Sequence, residues 1–380
     1  MRFITKIFLL FFFIHYNSFA EKNFSNFKKY RTTDSNFKLE KISNGLDYPW
    51  GMTFIDDNNL IITEKNGELI KVNKNNGESI KIKHNIQSIE YQKFRNTQGG
   101  LLDVLYHKGF LYFSYSKDFN DQEIRGSSTV IARGKLTKNQ IKNFKILFVS
   151  KPFSKKNIHW GSRLIIKDNH LYASIGERGL GMIAQDPTKH PGSIIRINLD
   201  GTIPNDNPVF LDKPNWLPEI FLIGVRNPQG MATSPNDEEI YFSQHGPRGG
   251  DNIGIIIKGG NYGWKDIAWG GTEYYGAKIG SSAFKKKYNE PIISWVPSIG
   301  VGQINFYKGQ TFSEWNDDML VSSTKEGLLI RLKIEENKII DEEIIIDQNI
   351  GRIRDFEIDI KGDIYLVTDS FDSHLWRLYK

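Results

Sequence analysis

The chain has 380 residues, a formal net charge of +6, 39% hydrophobic and 25% charged residues, and no cysteine. That length supports a sizeable core in one large or two smaller domains, and the composition excludes wholesale disorder. Without cysteine there is no disulfide framework, thiol nucleophile, zinc–thiolate or iron–sulfur site, so any catalysis uses His, carboxylates, Lys/Arg or a bound cofactor.

The chain opens with Arg2 and Lys6, an apolar run from Ile7 to Ile14, and Ser18-Phe19-Ala20. A charged start, a short apolar stretch and a small-x-small ending read as a signal peptide over residues 1–20, cleaved after Ala20. As an uncleaved anchor the run is too short to span a hydrocarbon core of about 30 Å. Its removal takes away two cations and leaves +4, too little to imply a nucleic-acid partner or stable membrane association. The expected location is periplasmic or secreted. Residues 21–35 read as an N-terminal extension.

From there on the recurrent signal is a pair of short strands around a polar turn. Asn36–Ser43 alternates like a strand, and Trp50–Asn73 gives strand, Asp/Asn turn, strand, Asn-Gly turn, strand. Comparable units start at Gly99, Ser162, Gly230, Gly302 and Ile353, at intervals of about 50 to 70 residues. This spacing suits blades with insertions and predicts one all-β domain over 36–380. The expected fold is a six-bladed β-propeller of four-stranded antiparallel blades, its ring closed by the N-terminal strand. A pair of β-sandwiches leaves the six copies unexplained. The longest insertions, Glu177–Trp216 and Gly246–Pro291, are rich in Gly, Pro, Asn and Asp and read as loops crowding one face.

Polar residues recur at equivalent places in the units: Gln98, His159 with Arg163, Arg226-Asn227, Lys325, and Arg352 with Arg354. In a ring these places converge on one end of the axis, and the i, i+2 spacing puts Arg352 and Arg354 on one strand face. Cations facing one cavity repel each other unless an anion sits among them, a polycarboxylate or a phosphate. His159 is the histidine among these cations, which depress its pKa and leave a neutral imidazole able to take a proton. His245 reads as shaping the turn before Gly246. The loop Gln244–Asn252 exposes carbonyls near a carboxylate, hard oxygen ligands suited to Ca²⁺, although an ordinary Gly-rich turn has the same composition.

These residues also resemble a known family, the soluble quinoprotein aldose sugar dehydrogenases related to soluble glucose dehydrogenase. The patches are YPWGM at Tyr48, QGGLLDV at Gln98, HWGSRL at His159, AQDPTKHPGSIIRIN at Ala184, GVRNPQGM at Gly224, HGPRGGD at His245, GGNYGW at Gly259 and RIRD at Arg352. The resemblance runs from Leu46 to the C-terminus. It implies a propeller that uses pyrroloquinoline quinone (PQQ) and calcium to oxidise an aldose, with electrons passed on to a quinone or cytochrome-type carrier.

By position it makes His159 the general base and assigns Gln98, Arg226, Asn227, Lys325, Arg352 and Arg354 to PQQ. Tyr274 matches an aromatic contacting the cofactor. Gly246 and Pro247 match carbonyl ligands of the calcium, Asn252 and Tyr262 a second calcium site, and Trp295 a wall for the sugar. Three departures stand out. Ile158 replaces an acidic residue before the base, Asn252 loses the carboxylate of the second site, and Trp160 reshapes the sugar pocket beside the base. Two other classes remain open: a calcium-dependent propeller lactonase or other hydrolase, which calls for a carboxylate-lined metal well, and a non-catalytic binding propeller, which has no need for His159.

Overall fold

A computed structural model describes residues 24–25, 37–89, 97–120, 125–210, 213–336 and 338–380. The expected leader over residues 1–20 lies outside them, as does most of the 21–35 extension. Among the described residues no helix is long and apolar enough to cross a membrane.

Six separate antiparallel sheets form the expected propeller. Blade 1 holds Pro49–Phe54, Asn59–Glu64, Leu69–Asn73 and Ser79–Lys81. The innermost strands of blades 2 to 6 are Leu101–His107, Gly161–Lys167, Pro228–Thr233, Val301–Phe306 and Ile353–Ile358. Middle strands are apolar on both faces because a neighbouring blade covers each. In Asn59–Glu64, Leu60 and Ile62 pack with Phe356 and Leu366 of blade 6, while Ile61 packs with Val104 and Phe113 of blade 2. Each such side chain contributes about 1.5–3 kcal/mol.

The ring closes through Lys38–Leu46, which pairs with Ser373–Tyr379 from Lys38↔Tyr379 to Leu46↔Ser373. This is the N-terminal closing strand expected from the sequence, displaced by a few residues. A feature the sequence did not suggest is the two-residue strand Phe24–Ser25, which runs parallel to Ile293–Trp295 and adds a fifth strand to blade 4.

Every innermost strand carries a register shift near its start, at Pro49/Met52, Leu101/Val104, Gly161/Leu164, Pro228/Gly230, Val301/Ile304 and Ile353/Asp355. Such bulges free backbone groups from the ladder and re-aim side chains. Hydroxyls on the second strand take up freed N–H groups: Gly51 N donates to Thr63 Oγ1 at 3.0 Å, Asp103 N to Ser114 Oγ at 3.0 Å and Arg163 N to Ser174 Oγ at 3.0 Å. Thr63, Ser174 and Ser243 then donate across to the next blade, to the carbonyls of Leu102, Pro228 and Gly302.

Side chains of the bulged segments, Asp103 and Arg163 among them, form an ion cluster that joins the innermost strands of blades 2, 3 and 6. Arg163 Nη1 lies 2.9 Å from Asp103 and 3.2 Å from Asp355. The second oxygens of those carboxylates accept Leu164 N and Met52 N, each at 2.7 Å.

The Thr63→Val variant leaves the Gly51 N–H buried without its acceptor and loses the link to Leu102. Chemical denaturation should show a loss of about 1–3 kcal/mol, with Thr63→Ser retaining most of the stability.

Candidate active site

The bulged strand starts and the loops beside them enclose a two-tiered well. The inner tier, of about 240 Å³, is lined by Trp50, Lys65, Gln98, Trp160, Asn227, Gln229, Arg352, Arg354 and Asp369, among others. The outer tier, of about 460 Å³, adds Gly246, Pro247, Tyr274 and Lys325. His245, Thr324 and Arg352 line both. The repeat therefore brings Gln98, Asn227, Lys325, Arg352 and Arg354 together as expected. Two of the expected cations lie elsewhere: Arg163 turns into the buried ion cluster, and Arg226 lines the neighbouring cleft with Gly246 and Pro247.

His159 sits at the start of blade 3 with φ +53°, a left-handed conformation uncommon for a residue with a side chain. Its N–H is held by Gln98 Oε1 at 2.9 Å. Behind it Gly176 is obligatory, because a Cβ there would stand 2.1 Å from the His159 carbonyl oxygen. The imidazole Nδ1 is hydrogen-bonded to Glu177 Oε1, and the same carboxylate accepts the N–H groups of Gly179 and Gly181.

Burial pushes the Glu177 carboxyl upward, but the bonds to His159 and Gly181 N and the nearby Arg226 hold it below the usual carboxylate range. Burial, with Arg226 adding to it, lowers the His159 imidazole, and Glu177 only partly offsets this. At neutral pH the pair is thus an ionised carboxylate and a neutral imidazole. Nδ1–H donates to Glu177, which leaves the Nε2 lone pair available.

The cations are arranged with too few carboxylates. Asp369 is shared by Lys65 at 2.5 Å, Arg354 at 2.6 Å and Arg352 at 3.4 Å. Burial opposes its ionisation, yet Arg354 and Lys65 hold it well below the usual range, while burial lowers Lys65 itself. Arg354 also donates to Gln229 Oε1 at 3.0 Å, and Arg226 donates to the His245 carbonyl at 3.2 Å and lies over Trp264. The Nε groups of Arg226 and Arg354 are buried without a hydrogen-bond partner among the described residues. Lys325 is on the rim, bonded to Ser298 O and Glu326, each at 2.8 Å.

The family model for Glucose / Sorbosone dehydrogenase matches residues 46–377. The chain belongs to that family. It is 30% identical to aldose sugar dehydrogenase YliI of Escherichia coli (strain K12), over 90% of this chain and 92% of the relative. Against quinoprotein glucose dehydrogenase B of Acinetobacter calcoaceticus the identity is 26%, over 90% and 87% of the two chains. The crystal structure of the soluble aldose sugar dehydrogenase of E. coli in the apo form superposes with a TM-score of 0.84 at 29% identity, covering 90% of this chain and 99% of that one. Membership of the Glucose / Sorbosone dehydrogenase family places the chain among oxidoreductases acting on sugars.

Within that family frame, some expected residues fall elsewhere. Trp295 does not reach the well: it is fully buried between blades 4 and 5, where its Nε1 donates to Glu342 Oε1 at 2.8 Å. Trp160 does line the inner tier, with Arg178 stacked on its ring. Tyr274, 70% exposed, stands at the outer rim.

Asn252 and Tyr262 lie beside the Gly246 loop, around a cleft of about 10 Å³, and both have protein partners. Asn252 bonds Gln244 Nε2 and Gly250 O, while the Tyr262 hydroxyl bonds Ile255 N and O. The nearby carboxylate Asp251 is fully engaged, by Gly246 N at 2.7 Å, Gly300 N at 2.5 Å and Val301 N at 3.0 Å. His245 is a wall of both tiers as well as a turn residue; burial, with Arg354 and Arg226 close by, pushes its imidazole down to about 3. Glu177, Lys65 and Asp369 were not singled out from the sequence.

The opposing influences on His159 give a measurable test. Removing the carboxylate in Glu177→Gln should lower the imidazole pKa further, and removing the cation in Arg226→Met should raise it. NMR titration of the ring nitrogens reads both directions.

Proposed function

We propose that the chain oxidises aldose sugars at the anomeric carbon to lactones, using PQQ and calcium, with His159 as general base. The observation that carries this reading is a neutral imidazole, anchored at Nδ1 by an ionised carboxylate, beside a well with more cations than carboxylates. The name of the A. calcoaceticus relative, a quinoprotein glucose dehydrogenase, supports the same chemistry.

The residues present fit both groups. The buried, unpartnered Nε donors of Arg226 and Arg354 suit the carboxylates of PQQ, a tricarboxylate. Gln98, Asn227, Arg352 and Lys325 border the well with Arg354, Arg226 lies in the cleft beside it, and Tyr274 offers a ring at the rim. Among the described residues no hydrogen bond reaches the carbonyl oxygens of Gly246 and Pro247, which leaves them as hard ligands for calcium. Asn252 and Tyr262 fit a second calcium poorly, because their polar groups are already paired. When bound, PQQ supplies an ortho-quinone that accepts two electrons and calcium a Lewis acid.

The chain's own residues handle the proton and the orientation. His159 Nε2 takes the proton of the anomeric hydroxyl, and Glu177 stabilises the imidazolium that forms. Gln98 fixes the base by its backbone, and Trp160 bounds the sugar beside it. The walls of the well, Trp50 and Trp160 among them, exclude water and strengthen each electrostatic contact. Cations lining the well make a hydrolase that needs a carboxylate-lined metal site the poorer reading. Export to the periplasm or beyond, and electron transfer to a quinone or cytochrome-type carrier, complete the proposal.

Purified protein incubated with PQQ, Ca²⁺, an aldose and an artificial electron-accepting dye should reduce the dye and retain PQQ absorbance through gel filtration. Absence of both with every sugar tried overturns the reading. The His159→Ala variant should keep the bound PQQ and lose about 10²–10⁴ of turnover. Unchanged turnover removes the base from His159.

A further inference from the structure

The segment that carries the base has no ladder to hold it. Residues 155–160 belong to no strand, so their carbonyls need donors from elsewhere. Gln98 N donates to Asn157 O and Thr129 Oγ1 to Trp160 O, each at 2.9 Å. Arg178 takes the carbonyls between and before them. Its Nη2 donates to Lys156 O, its Nε to Ile158 O at 3.1 Å, and its backbone N–H to His159 O at 3.3 Å.

The same guanidinium is anchored to blade 2. Nη1 donates to Ser127 O at 3.1 Å and Nη2 to Ser127 Oγ at 3.2 Å. Ser127 stands on a lengthened hairpin, Phe110–Asn120 with Arg125–Thr137. Its second strand has 11 residues, where those of the other blades have 5 or 6. Ser127 pairs with Asp118, beyond the length of an ordinary second strand. The extension thus brings a blade 2 acceptor to the head of blade 3.

Holding Arg178 in this way is costly. It is 2% exposed, and its charge is met only at longer range, by Glu177 and Asp118. Its φ of +59° is uncommon for a residue with a side chain. What a guanidinium adds over another side chain is a rigid planar fork, able to tie several acceptors at fixed angles and to stack on an aromatic face. Here it lies 3.2 Å over the ring of Trp160. Trp160 lines the well and Arg178 does not. Glu177 and Arg178 therefore grip the base together, the carboxylate holding the ring and the guanidinium the backbone on both sides of it.

We propose that Arg178 is a positioning residue for the oxidation, fixing His159 through the carbonyls of residues 156, 158 and 159 and through the stack on Trp160. This rests on the dehydrogenase reading of the well. Arg178 touches neither substrate nor cofactor and acts only through the segment it holds.

The test combines turnover of reconstituted holoenzyme with NMR titration of His159 in the protein without PQQ. Arg178→Met loses both fork and charge. Its kcat for an aldose should fall about 10²-fold, the effect of a small misplacement of a reacting group, with PQQ affinity unchanged. The His159 pKa should rise, because one nearby cation is gone while Glu177 and Arg226 remain. Arg178→Lys keeps the charge and loses the fork, so the titration should stay near that of the wild type while kcat still falls. Ser127→Ala removes one anchor of the guanidinium and carries the test if Arg178→Met does not fold; its kcat should fall about three- to tenfold. Unchanged kcat in the folded variant, an unmoved titration in Arg178→Met, full recovery in Arg178→Lys, or a rate loss matched by lost PQQ binding overturns the positioning role. Wild-type protein that oxidises no aldose overturns the dehydrogenase reading as well, an outcome distinct from wild-type turnover that the variants leave unchanged.

Discussion

The structure depends on how the bulge at the head of each innermost strand is satisfied. A bulge turns backbone N–H groups out of the ladder inside a packed ring, where an unpaired donor costs about 1–3 kcal/mol. A hydroxyl on the adjacent second strand removes that cost, as Thr63 does for Gly51 and Ser174 for Arg163. Thr63 and Ser174 spend their own protons on the next blade. Blade-to-blade spacing and the aim of the bulged residues are therefore set by the same atoms. Trp50, Leu102, Gln229 and Arg354 reach the well because they occupy these bulges.

The bulges also sort charge into two layers. At the strand heads Lys65, Arg352 and Arg354 share the one carboxylate of Asp369. A residue further on the balance reverses, with Arg163 between Asp103 and Asp355. There burial pushes the Asp103 carboxyl up to about 7 despite Arg163, and burial likewise raises Asp355 and Glu357. Buried like charges in one layer are tolerable when the adjoining layer carries the opposite excess and when a ligand completes the first. An anion entering the well meets donors already oriented, so little reorganisation opposes its binding.

Much of this was legible in the sequence because it follows the repeat. The six units, the closing strand, and the convergence of Gln98, Asn227, Arg352 and Arg354 all come from aligning the strand heads. Arg163 shows the limit of that alignment: shifting one residue along a bulged strand moves a side chain from the well to the central ion cluster. Trp295 was misplaced for a related reason, since its apolar ring is as well suited to the core between two blades as to a sugar. Glu177 gave no signal, because its contact with His159 joins the head of one strand to the end of the next across a hairpin. Asp369 and Lys65 were hidden likewise, as strand-end residues paired with each other across the junction of blades 6 and 1. The extra strand Phe24–Ser25 is too short for any periodicity to reveal.

What the repeat positions and what departs from it do different work. Residues at equivalent places hold charge: they fix the cations, the carboxylate that shares them and the base. Such places are bound by the hydroxyl links between blades and cannot move independently. The lengthened hairpin of blade 2 and residues 256–292, which join the third and fourth strands of blade 4, lie outside those links. They rise beside the well, carrying Asp118 and Arg125 on one side and Tyr274 on the other. A fixed reactive centre with adjustable walls is the arrangement in which loops alone decide what approaches, because altering them leaves the bulges untouched.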